Sequence, residues 1–518
     1  MTKTSTPGPT ATRARVLIIG TGFAGLAMAA KLKRAGMNDF LLLERADEVG
    51  GTWRDNTYPG CACDVPSLLY SFSFAQNPDW SDTFSPQPEI RQYLRDVAAD
   101  EGILPHCRFG HGVEEARWDD DARTWRVRTA AGDFEGEMVV SGTGALSDPS
   151  TPDLPGIDAF EGTTFHSATW DHDHDLRGER VAVIGTGASA IQFVPAIAPE
   201  VSHLTLFQRT PPWIMERRSR PFSKVERFLF KRVPGAQRLA RSSVYWAREL
   251  SVFGFAINPK ILKQAEKFAQ AHLHAAVKDP ELRRKLTPTY TMGCKRILLS
   301  NDYYPALTQE NVTVETSGIA EVRAHSIVTA DGAEHKVDTI IFGTGFRVTE
   351  MPAANHIWGS DGIRLADQWA DTASAYLGTT VANFPNLFFI AGPNTGLGHT
   401  SMVFMIESQV AYILDALKTL DRTGASTLEV RPDTQDAYND ALQERLAGTV
   451  WNTGGCASWY LDKQGHNTTL WPTFTFVFRQ RTRRFDPADY VMTHPLAADA
   501  APPPDALAHA RVPATAAH

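Results

Sequence analysis

The sequence predicts an α/β protein with two parallel sheets, each covered by helices, and a separate helical insert. Short apolar runs rich in β-branched residues, among them VLII at 16–19 and VAVI at 181–184, alternate with segments of helical periodicity. A glycine-rich turn follows each of these two runs, at 20–25 and at 185–190. From 222 to 288 the alternation stops, and only a helical spacing of apolar residues remains.

Composition narrows the class of protein. A chain of 518 residues with 43% hydrophobic content is long enough for two or three domains. The formal charge of -8 with interspersed acids and bases gives no basic stripe for nucleic acid, so no nucleic-acid partner is expected. Five cysteines and the lack of a secretory signal before residue 30 favour a cytoplasmic protein. No apolar run approaches the roughly 18 residues of a membrane span, so no integral span is predicted. Residues 1–13 and 496–518 are low in complexity, which predicts disordered tails.

The first glycine turn has the spacing of a dinucleotide-binding motif. Gly20, Gly22 and Gly25 stand between a predicted strand and a predicted helix, where the backbone and the helix N-terminus can approach a pyrophosphate, and Ala24 belongs to the same turn. The next predicted strand ends at Glu44, whose carboxylate can accept hydrogen bonds from ribose hydroxyls and repels a 2′-phosphate. The sequence therefore predicts a Rossmann-type domain that binds FAD.

The second glycine turn repeats the pattern with one change. Alanine replaces the third glycine and is still small enough for close packing of helix and strand. The strand that follows ends in an arginine and a threonine instead of an acid, which suits the 2′-phosphate of NADPH better than the free hydroxyl of NADH. The predicted NADPH-binding residues of this second Rossmann-type domain are Gly185, Thr186, Gly187, Ser189, Ala190, Arg209 and Thr210.

The helical stretch between the two halves of the second domain has two interpretations. It mixes Lys and Arg with aromatic residues, as in KVERFLFKRV and SSVYWARELSVF. Such helices either pack on the core with a solvated outer face or lie at a membrane surface. The packed helix is the simpler expectation.

Four further segments have distinctive residues at distinctive spacing. They are Gly51-x-Trp53 leading through Tyr58-Pro59-Gly60 to Asp64, then Phe160-x-Gly162 with His166 and Trp170-Asp171, then Gly293-Cys294-Lys295-Arg296 with Asp302-Tyr303-Tyr304, and the strand Phe342-Gly343-Thr344-Gly345-Phe346. In order and spacing these segments resemble the Baeyer–Villiger monooxygenases, NADPH-dependent flavoproteins that convert ketones into esters or lactones. The resemblance covers about residues 14 to 490. It departs only at Asp171, where proline is common and aspartate is also accepted.

The resemblance implies a reaction and a catalytic pair. NADPH reduces FAD, O2 adds to the flavin C4a carbon, and the resulting peroxyanion attacks the carbonyl, so that one oxygen atom is inserted beside it. The resemblance assigns Arg296 to the reactive face of the flavin and Asp64 as the carboxylate that pairs with it. A guanidinium that stays protonated suits the stabilisation of both anionic species. The alternative for Arg296 is a purely structural ion pair.

Further residues are implied by the same resemblance. Lys295 resembles a second contact to the 2′-phosphate, and Trp459 resembles a mobile-loop tryptophan that closes over the nicotinamide, although it can instead pack locally. His166 and Trp170 are expected to orient a linker between domains. Trp53 and Met402 have a core position as their alternative. The residues implied to line the flavin are Thr52, Trp53, Asp55, Asp64, Tyr70 and Met402.

Other functions stay open. Cys61-x-Cys63 suggests a disulfide reductase, but a single intervening residue makes an unstrained disulfide difficult. The Asp-His alternation at 171–175 suggests a metal, but neighbouring residues in a polar loop rarely converge on one ion, so no metal is expected. The motifs also allow a monooxygenase that oxidises nitrogen or sulfur, and a non-catalytic flavin-binding sensor.

The predicted organisation divides the chain into three parts. An FAD domain spans 1–148 and 347–518, an NADPH domain spans 149–214 and 290–346, and the helical insert spans 215–289. The predicted substrates are O2 and a small-molecule ketone, with a sulfide as the alternative acceptor. The sequence does not specify which ketone.

Overall fold

The computed structural model describes residues 11–349, 351–456 and 458–494. The predicted tails at 1–10 and 496–518 lie outside the described residues. Within the predicted N-terminal tail, Thr12–Arg13 forms a short strand that pairs with Phe134 and Glu135, so that part of the prediction is wrong. The pairing satisfies backbone groups of Arg13 and Ala14 that a free tail would leave to water.

The first parallel sheet has five strands, all paired in parallel. The strand Val16–Ile19, which precedes the first glycine turn, lies at its centre and pairs with one strand on each side. Its neighbours are almost wholly apolar and buried, as expected for a parallel sheet covered on both faces. In spatial order the strands are Leu387–Phe389, Met138–Ser141, Val16–Ile19, Phe40–Leu43 and Cys107–Arg108.

The second sheet repeats this arrangement. Arg180–Ile184, which precedes the second glycine turn, is central and pairs in parallel with His203–Phe207 and with Thr339–Phe342. In spatial order the strands are Val312–Glu315, His203–Phe207, Arg180–Ile184, Thr339–Phe342 and Thr163–His166. The predicted α/β class with two Rossmann-type domains and a helical insert is confirmed.

Four further sheets are present in the described residues. One combines the antiparallel strands Val113–Asp119, Thr124–Thr129 and Gly132–Gly136 with Thr12–Arg13 and Ile357–Trp358. The others are Ile319–Arg323 with Ser326–Thr329 and Glu334–Lys336, Ile214–Met215 with Leu298–Leu299, and Thr427–Val430 with Tyr490–Thr493.

Helices cover the faces of the large sheets. The helix Phe23–Arg34 follows the first glycine turn and packs against Met402–Thr423 and Gln87–Asp100. Ala190–Ile197 follows the second turn and packs against Tyr303–Leu307. The remaining α-helices outside the insert are Thr52–Asp55, Leu365–Gln368, Pro432–Ala447, Val450–Thr453 and Thr475–Arg481. Short 3₁₀ turns occur at Leu104–His106, Ile157–Ala159, Ser167–Thr169, Pro259–Ile261, Pro352–His356, Ser360–Gly362 and Pro487–Asp489.

The insert is helical, as the sequence predicts. Its elements are Lys224–Arg232, Ala236–Glu249, the π-helix Phe253–Ile257, Leu262–Ala276 and Pro280–Lys285. Ser223 and Glu226 form a capping box that fixes the start of the first helix. No helix in the described part of the chain is long and apolar enough to cross a membrane.

The chain passes twice between the two sheets at adjacent points. Pro149 and Phe346 form an antiparallel bridge, and Arg347 donates a backbone hydrogen bond to the carbonyl oxygen of Asp148 at 3.0 Å. The two linkers therefore run side by side near 148 and 346. The exact domain boundaries stay a prediction.

Candidate active site

The first glycine turn brings strand, helix and a second loop into close contact. A Cβ atom at Gly25 would lie 1.9 Å from the carbonyl oxygen of Gly20, so only glycine permits this packing of helix on strand. Gly20 has a φ of 95°, in the region that glycine favours. Ala24 is buried in the first turn of the helix, and a Cβ at Gly51 would lie 3.0 Å from the Cα of Gly22. The turn thus offers backbone, not side chains, to a ligand.

Glu44 is buried where its strand ends, as predicted. Its carboxylate accepts hydrogen bonds from the Thr21 amide at 2.9 Å, the Thr21 hydroxyl at 2.7 Å and the Ala46 amide at 3.0 Å, and forms an ion pair with Arg54 at 3.2 Å. Burial alone would raise the pKa of Glu44, but these partners outweigh it and lower the pKa. The ionised carboxylate already accepts four contacts, so a ribose hydroxyl must replace or share one of them.

The residues implied to line the flavin lie beside this turn. Trp53 donates its indole N–H to the Tyr70 hydroxyl at 3.0 Å, and their rings meet edge to face at 5.5 Å. Thr52 begins the short helix Thr52–Asp55, and Asp55 pairs with Arg54 at 2.7 Å. Thr52, Trp53 and Asp55 therefore share one short helix, and Tyr70 contacts that helix through Trp53.

The loop before the helix Met402–Thr423 contains two buried polar atoms without partners. His399 Nδ1 and Thr400 Oγ1 have no hydrogen-bond partner among the described residues. Met402 is half-buried beside the apolar cluster that includes Tyr460. A bound polar group at this loop would supply the hydrogen bonds that these two atoms lack. Sequence reasoning missed His399 and Thr400, because no spacing singles them out.

The second glycine turn has the same geometry as the first. A Cβ at Gly185 would lie 2.5 Å from the carbonyl oxygen of Gly343, whereas Gly187 is exposed and a Cβ there would meet only that oxygen, at 3.8 Å. Ala190 is buried and packs toward Gly343. Thr186 donates to the carbonyl oxygen of Thr210 at 3.3 Å. Ser189 stands at the N-cap of the helix Ala190–Ile197.

Glycines that follow two other strands support these turns. Gly142, after Met138–Ser141, and Gly343, after Thr339–Phe342, each contact the first glycine of the adjoining turn. Sequence reasoning did not assign Gly142 to a site. The repeated Ser/Phe-Gly-Thr-Gly at 141–144 and 342–345 was the signal available.

Arg209 and Lys295 lie close together although they come from distant parts of the chain. Burial lowers the pKa of Lys295, and the nearby positive charge of Arg209 lowers it further. Neither residue has a carboxylate within ion-pair distance among the described residues. Two cations close enough to influence each other, with no acid paired to either, suit an anion such as a phosphate.

Arg296 and Asp64 form the bidentate ion pair that the resemblance implied. Arg296 Nε donates to Asp64 Oδ2 at 2.8 Å and Nη2 to Oδ1 at 2.6 Å, across 232 residues of sequence. The charge of Asp64 raises the pKa of Arg296, so the guanidinium stays protonated. Burial would raise the pKa of Asp64, but Arg296 outweighs this effect and holds the pKa below its ordinary value.

Two residues near this pair were not predicted. Arg248, from the insert helix Ala236–Glu249, lies near Asp64. Burial lowers the pKa of Arg248, and the negative charge of Asp64 partly offsets this effect. The ring of Tyr460 is buried, and its electrostatic contacts include Arg296 and Asp64. Trp459, which the resemblance placed over the nicotinamide, is 45% exposed and packs on Tyr460 at 4.5 Å. Its role over the nicotinamide stays a prediction.

A disulfide joins the segment of Arg296 to the segment of Tyr460. Cys294 is bonded to Cys456, with a sequence separation of 162. Sequence reasoning left the role of Cys294 open, because cysteine pairing cannot be read from spacing alone. The cross-link attaches the Lys295-Arg296 segment to the loop that carries Trp459.

The remaining candidates do not form reactive sites. Cys61 and Cys63 are both free and buried, and burial raises the pKa of Cys61 to about 11. His166 is buried, packs on Phe346 and accepts a hydrogen bond from the Ala168 amide at 3.0 Å, beside the linker as predicted. Within the described residues no cluster of His, Cys, Asp and Glu suits a metal ion.

Comparison with known proteins matches nearly the whole chain. The family model described as pyridine nucleotide-disulphide oxidoreductase matches residues 17–238. A Baeyer–Villiger monooxygenase of Streptomyces coelicolor is 54% identical over 482 residues, which are 93% of this chain and 93% of that protein. A Baeyer–Villiger monooxygenase of Pseudomonas aeruginosa is 51% identical over 95% of this chain and 94% of its own length.

Solved structures agree with this. Cyclohexanone monooxygenase from Rhodococcus sp. Phi1 bound to NADP+ superposes with a TM-score of 0.83 at 29% identity, over 94% of this chain and 100% of that one. A complex of OTEMO with FAD and NADP superposes with a TM-score of 0.83 at 27% identity, over 93% and 100% of the two chains.

Proposed function

This chain belongs to the Baeyer–Villiger monooxygenases, and we propose that Arg296 and Asp64 are its catalytic pair. It is an FAD- and NADPH-dependent enzyme that converts a ketone into an ester or lactone. The observation that carries the proposal is the bidentate pairing of a fully protonated Arg296 with an ionised Asp64. A permanent cation so fixed can stabilise negative charge without first reorganising.

The described residues fit the two cofactors. The closely packed backbone of Gly20, Gly22 and Gly51 leaves no side chain between the turn and a pyrophosphate, and the unpaired atoms His399 Nδ1 and Thr400 Oγ1 can hydrogen-bond to a ring system. We assign Thr52, Trp53, Asp55, Tyr70 and Met402 to the FAD site on the same basis. When bound and reduced by NADPH, FAD supplies the activation of O2.

The residues of the second turn are proposed to hold NADPH. Arg209 and Lys295 converge without a counter-charge among the described residues and so provide two donors for the 2′-phosphate. The exposed Gly187 leaves the backbone open to the pyrophosphate. Trp459 is proposed to cover the nicotinamide, since it lies on the loop that the Cys294–Cys456 disulfide attaches to the Arg296 segment.

Arg296 and Asp64 have separate tasks in this proposal. Arg296 carries the positive charge that offsets negative charge developing at the substrate carbonyl oxygen. Asp64 accepts both guanidinium hydrogen bonds and so fixes the plane of that cation. The buried Tyr460 and the insert residue Arg248 lie near the pair. The pair is partly shielded from water, with 37% of the Arg296 and 24% of the Asp64 side chain exposed, and this shielding strengthens electrostatic interactions there.

We further propose a cytoplasmic enzyme that uses O2 as oxidant and a small-molecule ketone as oxygen acceptor. The supply of NADPH inside the cell supports the location. A sulfide is a second acceptor to be tested, because an activated oxygen beside a fixed cation can also be transferred to sulfur.

The test compares Arg296→Ala with wild type and with Arg177→Ala, a matched control in which an exposed arginine paired only with Asp175 is removed. Each purified yellow protein receives NADPH, a panel of ketones and sulfides, and ¹⁸O-labelled O2. We expect Arg296→Ala to retain bound FAD and to lose labelled ester or lactone by at least 100-fold, about 2.7 kcal/mol, the size of one lost oxyanion donor. Labelled product at the wild-type rate would refute the catalytic role of Arg296.

A further inference from the structure

The helical insert carries most of the exposed apolar side chains. Of sixteen exposed large hydrophobic residues in the described part of the chain, eleven lie between 225 and 268. Soluble proteins expose such residues singly, and a concentration of them marks an interaction surface. We call this set of exposed side chains the insert face. It consists of Val225, Phe228, Leu229, Val233, Leu239, Trp246, Leu250, Phe253, Ile257, Ile261 and Phe268.

The helix Ala236–Glu249 exposes large apolar side chains in addition to those that it packs on the core. Leu239 is 72%, Trp246 54% and Leu250 65% exposed. Their spacing of seven and four residues places them on one side of the helix. The apolar stripe faces outward where a polar stripe is expected.

The inward side of the same helix combines the buried ring of Tyr245 with polar side chains that hold the helix in place. Gln237 donates to the carbonyl oxygen of Asn77 at 2.6 Å, and Arg241 donates to that of Ser71 at 2.9 Å. Glu249 is buried and accepts a hydrogen bond from the Thr475 amide at 3.0 Å. These contacts fix the rotation of the helix, so the outward apolar stripe cannot turn into the core without leaving buried polar groups unpaired.

Aromatic rings extend the insert face onto a neighbouring helix. Trp246 lies 5.8 Å from Phe476, and Phe253 lies 5.5 Å from Phe474. Phe474 and Phe476 stack on each other at 5.1 Å. Exposed tryptophan and phenylalanine rings of this kind are typical of the boundary between water and hydrocarbon.

The insert is basic although the protein is acidic. The chain has a formal charge of -8, yet residues 222–268 contain ten Lys and Arg against three acids. Those acids do not neutralise the insert face. Glu226 pairs with Arg220, Glu249 is buried, and Glu266 accepts a hydrogen bond from the Met292 amide. Six exposed cations of the segment have no ion-pair partner among the described residues. They are Lys224, Arg232, Arg238, Lys260, Lys263 and Lys267.

Cations also surround a cleft at the edge of the insert face. The cleft, of about 330 Å³, lies between the end of the first insert helix and the start of the second. Arg232 and Arg238 line it beside the apolar Val233, together with Lys231, which pairs with Asp79. Cations next to an apolar side chain match a phosphate group attached to a hydrocarbon chain.

We propose that the insert face docks on an anionic lipid bilayer, as a peripheral contact with no membrane span. The apolar stripe enters the interfacial region while the surrounding cations meet anionic headgroups. A second copy of the chain is the weaker occupant. A symmetric dimer would place this basic surface against itself, and like charges would oppose the contact.

Vesicle co-sedimentation of the FAD-loaded enzyme tests the proposal. Vesicles of phosphatidylcholine with phosphatidylglycerol are compared with vesicles of phosphatidylcholine alone. We expect wild type to bind the anionic vesicles and to lose binding as salt is raised. Arg232→Gln with Arg238→Gln should weaken binding about 25-fold, since one basic residue near an anionic surface contributes about fivefold. Leu239→Glu with Leu250→Glu should weaken it by at least tenfold.

Matched controls separate the proposal from non-specific effects. Leu104→Glu changes a leucine that is 43% exposed and lies outside the insert, so it should bind vesicles like wild type. NADPH oxidation by the insert variants in vesicle-free buffer should equal that of wild type, which shows that they fold. Absence of binding to anionic vesicles, or equal binding by wild type and the Leu239/Leu250 variant, would overturn the proposal. Dimerisation that this variant abolishes, without vesicle binding, would overturn it in favour of self-association.

Discussion

Removal of Arg209 or Lys295 should separate the two nicotinamide cofactors. NADPH and NADH differ only in the 2′-phosphate, so a residue that contacts this group affects one of them and spares the other. A hydrogen bond to a charged group contributes about 1.5–3 kcal/mol. Arg209 is exposed, so solvent screening weakens its contact with the phosphate. The free-energy loss in Arg209→Ala should therefore lie near the lower end of this range, which corresponds to about a tenfold loss of NADPH affinity. Lys295 is half-buried, so Lys295→Ala should approach the upper limit, roughly 150-fold.

The two effects should be coupled. Both cations are proposed to bind the same phosphate, so the one that remains in a single variant keeps part of the interaction. The double variant should therefore lose more than the product of the single losses.

Affinity is measured by titration of the FAD-loaded enzyme with NADPH and with NADH at two salt concentrations. Affinity for NADH should stay within about twofold of wild type. Arg177→Ala is the matched control, since its guanidinium contacts only Asp175 in the second domain. An equal loss for both cofactors in either variant would refute the 2′-phosphate assignment.

Three other changes have outcomes set by the geometry. Gly187→Ala should fold and retain FAD, because the new methyl group meets only one atom, at 3.8 Å. It should weaken NADPH binding at least tenfold, because the methyl group keeps the backbone from the pyrophosphate. Unchanged NADPH affinity in the same titration would contradict this. Cys456→Ser should lower the free energy of unfolding in urea by about 2–4 kcal/mol, because it removes the Cys294–Cys456 cross-link. A reductant should lower the unfolding free energy of wild type but not that of the variant. A reductant effect on both proteins would exclude the cross-link as the cause. Burial lowers the pKa of His166 below 6.5, so the unfolded chain takes up a proton that the folded chain does not, and stability is lost as the pH falls from about 7 toward 5. His166→Gln should show a smaller loss over that range in urea unfolding, and parallel curves would count against it.

The sequence predicted the fold because its signals are local. A glycine turn between a strand and a helix is read from neighbouring residues, and the packing of Gly25 against Gly20 confirms why that spacing is required. The same holds for the buried Glu44 at the end of its strand. Within the active site, Arg296 and Asp64 were paired through resemblance to a family, and the structure brings them together across 232 residues.

Other contacts had no local signal. Arg248 comes from a helix whose sequence shows only amphipathic spacing, and the side that faces inward depends on hydrogen bonds to residues as distant as Asn77 and Ser71. The sequence left open whether that helix has a solvated or a membrane-facing outer side. Its rotation exposes Leu239, Trp246 and Leu250, and this observation favours the membrane surface.

The sequence by itself determined the two dinucleotide folds, the cofactors and the family of this protein, since each depends on short motifs with a fixed backbone requirement. Only the tertiary structure decided that Arg248 lies near Asp64, that Cys294 pairs with Cys456 and that the insert exposes apolar side chains. The physical reason is that these contacts join segments far apart in the chain. Their energy depends on burial, charge and hydrogen-bond geometry, which arise only when the chain has folded.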